Sequence, residues 1–348
     1  MNGLNSYWKI LFFVFILFFL RLPIAAQEDF RIMFYNAENL YDTKNNPDTN
    51  DDDLTPEGQL HWTTYRYWKK LDNISKVISS AGGKHPPAIV GLCEVENDSV
   101  LFDLTRRSSL NRHKYEYIIT HSKDSRGSNV ALLYQRDQVK ILSYKSYTPY
   151  ISADKTTRDI LHVVARVVNG GVLDVFICHF PSRNEGIKKT RSYRIRCAKL
   201  LKQKTDSVIN IRKQANVIIM GDFNDYPSDI SLKDILSAHP MKEKADSQNL
   251  YNMFYHKSQV RNIDIASYKY RGKWNYIDQF IVSGGLLKEE GKVVIKNKEA
   301  YVYSADFLLH DDNRKYEGQK PFRTYSGWKY LGGFSDHLPI YMDLEINN

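Results

Sequence analysis

Two hydrophobic rhythms run along the chain. Short unbroken apolar runs bounded by turn residues mark buried strands, and longer stretches with apolar positions at helical spacing mark helices. The runs predict strands over Arg31–Tyr35, Ala88–Cys93, Tyr115–Thr120, Val217–Met220, Ile277–Val282 and Ile340–Leu344. Between them, Val130–Tyr134, Val139–Tyr144, His162–Val168 and Leu173–Cys178 follow one another across short turns, which predicts consecutive antiparallel strands. Trp62–Ser80 carries Trp68, Leu71, Ile74, Val77 and Ile78 at helical spacing and is closed by Gly82-Gly83 and Pro86-Pro87. Further helices are predicted over Val100–Leu110, Thr190–Ile211 and Ile230–Leu236. Strand and helix signals alternate, with no internal repeat, low-complexity tract or obvious linker, so the chain reads as α/β. Residues 299–333 form a long aromatic- and glycine-rich insertion. Loops of that length are usually functional or disordered, and this one runs straight into Asp336-His337, which favours function.

The ends of the apolar runs carry the chemistry. Val217-Ile218-Ile219-Met220-Gly221-Asp222-Phe223-Asn224 delivers an acid and an amide to a sheet rim on one face. Three other segments end alike: Ile89–Glu94, Val175–His179, and Phe334-Ser335-Asp336-His337; Asn36 closes the first strand. Asp278 sits inside an apolar strand, where a carboxylate needs a partner, and an adjacent histidine is a natural one. This inventory is rich in oxygen. Hard oxygen ligands suit Mg²⁺, Mn²⁺ or Ca²⁺ rather than structural zinc, and the first two act on phosphates.

Composition changes the picture in a few places. With 42% hydrophobic and 26% charged residues the chain is of ordinary globular type. Lys9, the apolar run Ile10–Leu20 and the small-residue exit at Ala25-Ala26 describe a signal peptide over residues 1–26. The run is short for a membrane span, so no stable membrane insertion is expected after cleavage. Export implies a periplasmic or secreted protein. Cleavage removes Lys9 and Arg21 and takes the net charge from +9 to +7, which suits an anionic partner such as nucleic acid. Cys93, Cys178 and Cys197 are too few for a disulfide scaffold and read as buried thiols; a bridge between Cys93 and Cys178 would require neighbouring strands. Asp48 to Asp53 reads as a solvated acidic loop. Lys188, Lys189, Arg191, Arg194 and Arg196 either track a phosphate backbone or form a solvated helix face. Tyr325, Trp328 and Tyr330 could stack on bases, but packing of the long loop is the safer expectation.

Six short segments fall in a telling order: Tyr35–Leu40, Gly91–Asn97, His179–Arg183, Gly221–Asn224, Ile277–Phe280 and Ser335–Ile340. Together they resemble the endonuclease/exonuclease/phosphatase superfamily, the fold of deoxyribonuclease I, over residues 30 to 345. The resemblance implies a four-layer sandwich of two packed mixed β-sheets flanked by helices, in one domain over residues 27–348. It implies Mg²⁺ (or Mn²⁺) held by Glu94 with Asn36 and Asp336, and Glu38 as a secondary ligand. Asp222 would orient or deprotonate the attacking water, and Asn224 would hold the phosphate. His337, oriented by Asp278, would donate to the scissile phosphate, and His179 would assist at the phosphate or leaving oxygen. One departure stands out. The acid that pairs with the leaving-group histidine in deoxyribonuclease I has no carboxylate match in Arg126–Tyr134, where Ser128 and Asn129 stand, and this puts the acid role of His179 in doubt. Arg126, Arg183 and Arg323 lie near the motif loops and are the substrate-binding candidates.

The reading is therefore a monomeric, secreted, metal-dependent phosphodiesterase, foremost a nuclease acting on DNA or RNA. The alternatives are a phosphatase or phospholipase C-type diesterase acting on a small phosphate ester or lipid head group, and a catalytically dead binding module. The complete set of acids and histidines argues against the last.

Overall fold

The structure is a computed structural model that describes residues 30–83, 85–212, 214–312 and 316–347. The signal peptide expected over residues 1–26 lies outside them. In chain order, β1 (Phe30–Leu40) leads to helix α1 (Thr64–Ala81) and β2 (Ile89–Val95), and a short helix α2 (Asp98–Phe102) precedes β3 (Tyr115–Ile119) and β4 (Asn129–Gln135). Strands β5 (Val139–Tyr147), β6 (Ile160–Val167) and β7 (Val172–His179) lead into the long helix α3 (Ile187–Ile211) and β8 (Val217–Asp222). Then come β9 (Ala238–Pro240), β10 (Leu250–Asn252), the hairpin of β11 (Tyr268–Tyr270) and β12 (Lys273–Asn275), and β13 (Asp278–Ser283). The last part holds β14 (Val293–Ile295), β15 (Tyr301–Val302), the hairpins β16 (Leu309–Asp311) with β17 (Gln319–Pro321) and β18 (Tyr325–Ser326) with β19 (Lys329–Tyr330), and β20 (Ile340–Ile346).

Two large mixed sheets form the centre. One runs β14-β20-β1-β2-β4-β3, with β15 also on β20; the other runs β5-β6-β7-β8-β13-β10-β9. Phe34 and Leu132 of the first sheet meet Val163, Ile177, Met220 and Phe280 of the second in the inner core. Helix α1 covers the outer face of the first sheet through Leu71, Ile74, Val77 and Ile78. Helix α3 covers the second through Cys197, Ala198 and Leu201. Where the strands are covered on both faces, as β2, β7 and β8 are, they read as continuous apolar runs rather than alternating ones, whereas the edge strand β5 is exposed over most of its length. The expected four layers are therefore present.

Several expectations need correction. The four runs from Val130 to Cys178 are not one antiparallel succession. β4 pairs with β2 and β3, whereas β5, β6 and β7 form a meander in the other sheet. A short turn can carry the chain between packed sheets as easily as between neighbours, so spacing could not separate the two cases. The segment Val100–Leu110 is not one helix: α2 passes into a wide turn at Asp103–Arg107 and a tight one at Ser109–His113. Cys93 and Cys178 lie in different sheets, and the three cysteines are buried free thiols. Asp51 is not solvated. It is buried and accepts from Asn46 N at 3.1 Å and Thr49 Oγ1 at 3.0 Å. Arg194 is no surface charge either: it is buried, 2.6 Å from Asp225. Lys188, Lys189, Arg191 and Arg196 do face solvent. Tyr325 packs on Trp62 and on Tyr330, while Trp328 stays exposed.

Candidate active site

Strand register assembles the site. β7 and β8 pair parallel with His179 beside Asp222, and β8 and β13 pair antiparallel with Asp222 beside Asp278. Three titratable groups thus stand abreast at one end of the second sheet. Gly221 permits this close row, since a Cβ there would lie 2.3 Å from the carbonyl oxygen of Cys178. In the first sheet Asn36 pairs with Cys93, and the ladder breaks into a bulge just beyond. Glu38, Asn39 and Glu94 take left-handed backbone at that bulge, as does Asn224 beyond β8. Such conformations cost roughly 1–3 kcal/mol each and re-aim side chains at functional sites. The last contribution comes from the segment before β20, where Ser335 Oγ donates to Asn36 O at 2.7 Å and accepts from His337 N at 3.1 Å.

These elements converge on a cleft of about 380 Å³ lined by Glu94, His179, Asp222, Asn224, Asp336 and His337, among others. His337 Nδ1 lies 2.7 Å from Asp278 Oδ2, and its Nε2 lies 3.9 Å from Asp222 Oδ2 and 4.0 Å from Asp336 Oδ1. His179 Nε2 faces the same space, 3.7 Å from Asp222 and 3.9 Å from Glu94. Asn36 Nδ2 donates to Asp222 at 3.1 Å and to Glu94 at 3.4 Å, and Asn39 N donates to Glu94 at 2.9 Å. Asp222 Oδ1 accepts from Asn224 N at 2.9 Å. Asn224 Nδ2 donates to Phe180 O at 3.0 Å, which fixes its amide at the rim.

Burial and crowded charge set the proton affinities. Burial first, and then the facing Asp278 carboxylate, raise Asp222 to about 7. His337 goes the other way from a buried histidine: burial disfavours its charge, but the Asp278 carboxylate and its hydrogen bond, with Asp222 and Asp336, hold it well above the ordinary value. His179 is pushed well below, by burial and then by Arg158, Arg126 and His337. Glu38 is raised by burial and by Asp336. The site therefore pairs a carboxylate reluctant to ionise with a histidine that keeps its proton, the arrangement expected of a base and an acid.

The donor set fits a hard divalent cation. Glu94 and Asp336 are the more open acids, at 16% and 20% side-chain exposure against 3% and 1% for Asp222 and Asp278. Asp222, Asp278 and His337 also bring one ligand atom each within 4.8 Å of the others. That trio is bonded within itself through His337–Asp278, so Glu94 and Asp336 are the better holders. Asn36, expected as a third ligand, is held in place at both ends of its amide. Its oxygen accepts from Glu38 N at 2.9 Å, and its amide nitrogen braces the two acids.

The three arginines differ. Arg126 is about half exposed and lines the cleft. Arg183 also lines it, but its guanidinium is committed to Asp225 at 2.7 Å, to Asp229, and to Asn224 O at 2.6 Å. Arg323 bridges Asp336 at 3.0 Å and Glu38 at 3.4 Å, tying the long insertion to the site. Lys70 of α1 completes that support from below. It is buried, donates to Thr324 Oγ1 and Phe334 O at 2.6 Å, and is lowered to about 8 by burial. Sequence reasoning passed over Lys70. It also missed Tyr268, whose ring centre lies 4.8 Å from that of His337 on the cleft wall.

Comparison with known proteins follows from this geometry. The sequence profile described as "Endonuclease/Exonuclease/phosphatase family" matches residues 31–346. No curated protein matches the chain. Among solved structures, an endonuclease/exonuclease/phosphatase family protein from Bacteroides thetaiotaomicron is 16% identical, with a TM-score of 0.57 over 92% of this chain and 98% of that one. The mannosyl-6-phosphatase of the same organism is 16% identical, with a TM-score of 0.54 over 90% and 99%. D. rerio TDP2, complexed with a single-strand DNA product, is 14% identical, with a TM-score of 0.54 over 91% and 99%. At these identities the likeness is one of fold.

Proposed function

Because the chain belongs to the endonuclease/exonuclease/phosphatase family, whose members hydrolyse phosphoester bonds, we propose that it is a metal-dependent phosphodiesterase cleaving nucleic acid. The observation that carries the reaction is Asp222, a carboxylate of raised proton affinity set between two histidines in the cleft. Hydrolysis at phosphorus needs a nucleophile, neutralised charge and a stabilised leaving oxygen. Asp222 takes the proton of the attacking water. His337, kept protonated by Asp278, donates a hydrogen bond to a phosphoryl oxygen. Asn224 holds the phosphate at the rim, and His179 Nε2, unprotonated at rest and 3.7 Å from Asp222, takes up the proton that Asp222 draws from the water and passes it to the leaving oxygen. Glu94 and Asp336 would hold a divalent cation such as Mg²⁺ or Mn²⁺, which would supply charge neutralisation at the phosphate.

Nucleic acid is favoured by the cleft wall, where half-exposed Arg126 stands with Tyr226, Tyr268 and exposed Tyr270. Arginine beside tyrosine suits a phosphate followed by a base. The fold neighbour complexed with single-strand DNA supports the same class. A small phosphate monoester is the second reading, favoured by the mannosyl-6-phosphatase neighbour and the modest cleft. We further infer export to the periplasm or medium and a monomeric enzyme. N-terminal sequencing of the exported protein should begin at Gln27.

The deciding experiment incubates mature protein with plasmid DNA, RNA, bis-p-nitrophenyl phosphate, a sugar monophosphate and sphingomyelin, with Mg²⁺ and then with EDTA. Cleavage of DNA or RNA that EDTA abolishes is the expected result. Turnover of the monoester or the lipid alone would exclude the nuclease reading.

A further inference from the structure

An acid, Asp159, immediately precedes β6, the strand that runs beside His179. β6 and β7 pair antiparallel with Leu161 opposite Ile177, so the register carried two residues further sets Asp159 opposite His179. Directly opposed residues of an antiparallel pair project from the same face. That face is the inner one, because Leu161 and Ile177 both lie in the core between the sheets. Asp159 and His179 are themselves buried, at 6% and 4% exposure. Asp159 Oδ1 and His179 Nδ1 are each buried with no hydrogen-bond partner among the described residues. One is an acceptor and the other can carry a proton. Ser128 Oγ is a third unpartnered buried atom, two residues before Val130 on the inward row of β4. The backbone of Asp159 is fixed, since its N–H donates to Ser122 Oγ at 2.9 Å. Buried polar groups left unpaired are costly and rare, and three in complementary roles point to a shared link.

We propose that Asp159 is a positioning residue for His179: its carboxylate accepts from the Nδ1–H across one buried water, which presents Nε2 to the cleft. The two atoms are not in direct contact, and a buried water commonly joins about three such groups, Ser128 Oγ being the third here. The partner of one ring nitrogen decides the state of the other. With Nδ1 protonated and held, Nε2 is the nitrogen free to exchange a proton beside Asp222. This role rests on the reading of His179 as a group at the reacting phosphate. It supplies, from just before β6, the carboxylate that the β4 segment lacks.

The test is long-range ¹H–¹⁵N correlation on protein labelled with ¹⁵N-histidine, the His179 signals being assigned by their loss in His179→Ala. A protonated Nδ1 is expected in the unsubstituted protein and a shift toward the Nε2–H form in Asp159→Ala. Asp159→Asn, whose amide oxygen still accepts, should retain the Nδ1 proton. Turnover of bis-p-nitrophenyl phosphate should fall about 10- to 100-fold in Asp159→Ala with KM within about two-fold. Adding Asp159→Ala to His179→Ala should cost less than about two-fold more. A bare Nδ1 in the unsubstituted protein overturns the proposal, as does an unchanged ring state in Asp159→Ala or full additivity in the double variant. If Asp159→Ala does not fold, the unsubstituted protein and Asp159→Asn decide it, loss of the Nδ1 proton in the latter being contrary. The ring state is read without substrate, so a protein that cleaves no phosphoester would end the functional reading and leave this measurement standing.

Discussion

Asp222 shows how a single side chain can be costly to the fold and necessary to the chemistry. Folded, it holds its proton up to about pH 7; unfolded, it releases it near pH 4. Between those values the folded state binds more protons, so this group makes stability fall as pH rises through that window, and above it the full cost is present. Asp222→Asn should therefore raise the melting temperature at pH 8 by a few degrees while lowering turnover by about 10²–10⁴-fold. A thermal melt and a rate on the same sample check both, and a lower melting temperature would contradict the sign. His337 is the mirror case. Its raised affinity contributes stability that is fully present below about pH 6.5 and is lost as pH climbs through the folded value. Asp222, Asp278 and His337 were legible because an acid or histidine that closes or interrupts an apolar run has few other reasons to be there. Lys70 and Tyr268 were not. A lysine on a helix and a tyrosine in a hairpin carry no local mark of where the fold will bury them.

At the level of elements, α1 does two jobs from its buried side. Its leucine and isoleucines seat it on the first sheet, and this was visible as periodicity. Its Lys70 and Asn73 clamp the insertion, Asn73 donating to Gly333 O at 2.8 Å. Polar positions on a helical face normally read as solvent-exposed, so this second role was hidden. Lys70→Met should destabilise by roughly 3–5 kcal/mol in urea unfolding, the range for removing one partner of a buried charged group. It should also loosen Arg323 and Asp336, and with them turnover. A variant as stable as the parent would show that the insertion holds itself. The division of strands between sheets was hidden for a related reason. A strand's pattern reports how deeply it is buried and not which sheet it joins, so β4 and β5 look like neighbours in sequence although they part company in space.

For the molecule as a whole, the crowding of Glu94, Asp222, Asp336 and Glu38 at one end of the sandwich predicts stabilisation by a divalent cation. A hundred-fold excess of Mg²⁺ over its Kd should add about 2.7 kcal/mol by mass action, seen as a raised melting temperature that EDTA reverses. Glu94→Gln should remove most of that gain; an undiminished gain would place the ion elsewhere. If nucleic acid is the substrate, binding should weaken steeply as salt rises, with log Kd linear in log salt. A flat response would favour a small ester. The fold and the gathering of the motif residues in one cleft were legible because six separated segments had to agree. The substrate was not, because it is chosen by cleft-wall residues such as Arg126 and Tyr270, which are ordinary surface types until the fold brings them together.

The pairing of β1 with β20 has a consequence in time. Phe30 lies opposite Leu344 and Phe34 opposite Ile340, with Arg31 clasping Asp343 at 2.7 Å. The strand that carries Asn36, already paired with β2, therefore gains its second neighbour only once residues 340–346 have been made, and Asp336 and His337 arrive with that neighbour. A chain halted before residue 336 can hold Asp222 with Asp278 and His179 with Glu94, yet it lacks Asp336 and the proton donor His337. Hydrolytic capacity should accordingly switch on in one step when residues 336–346 join and not accumulate along synthesis, so that the growing chain is harmless to phosphoesters around it until β20 is in place.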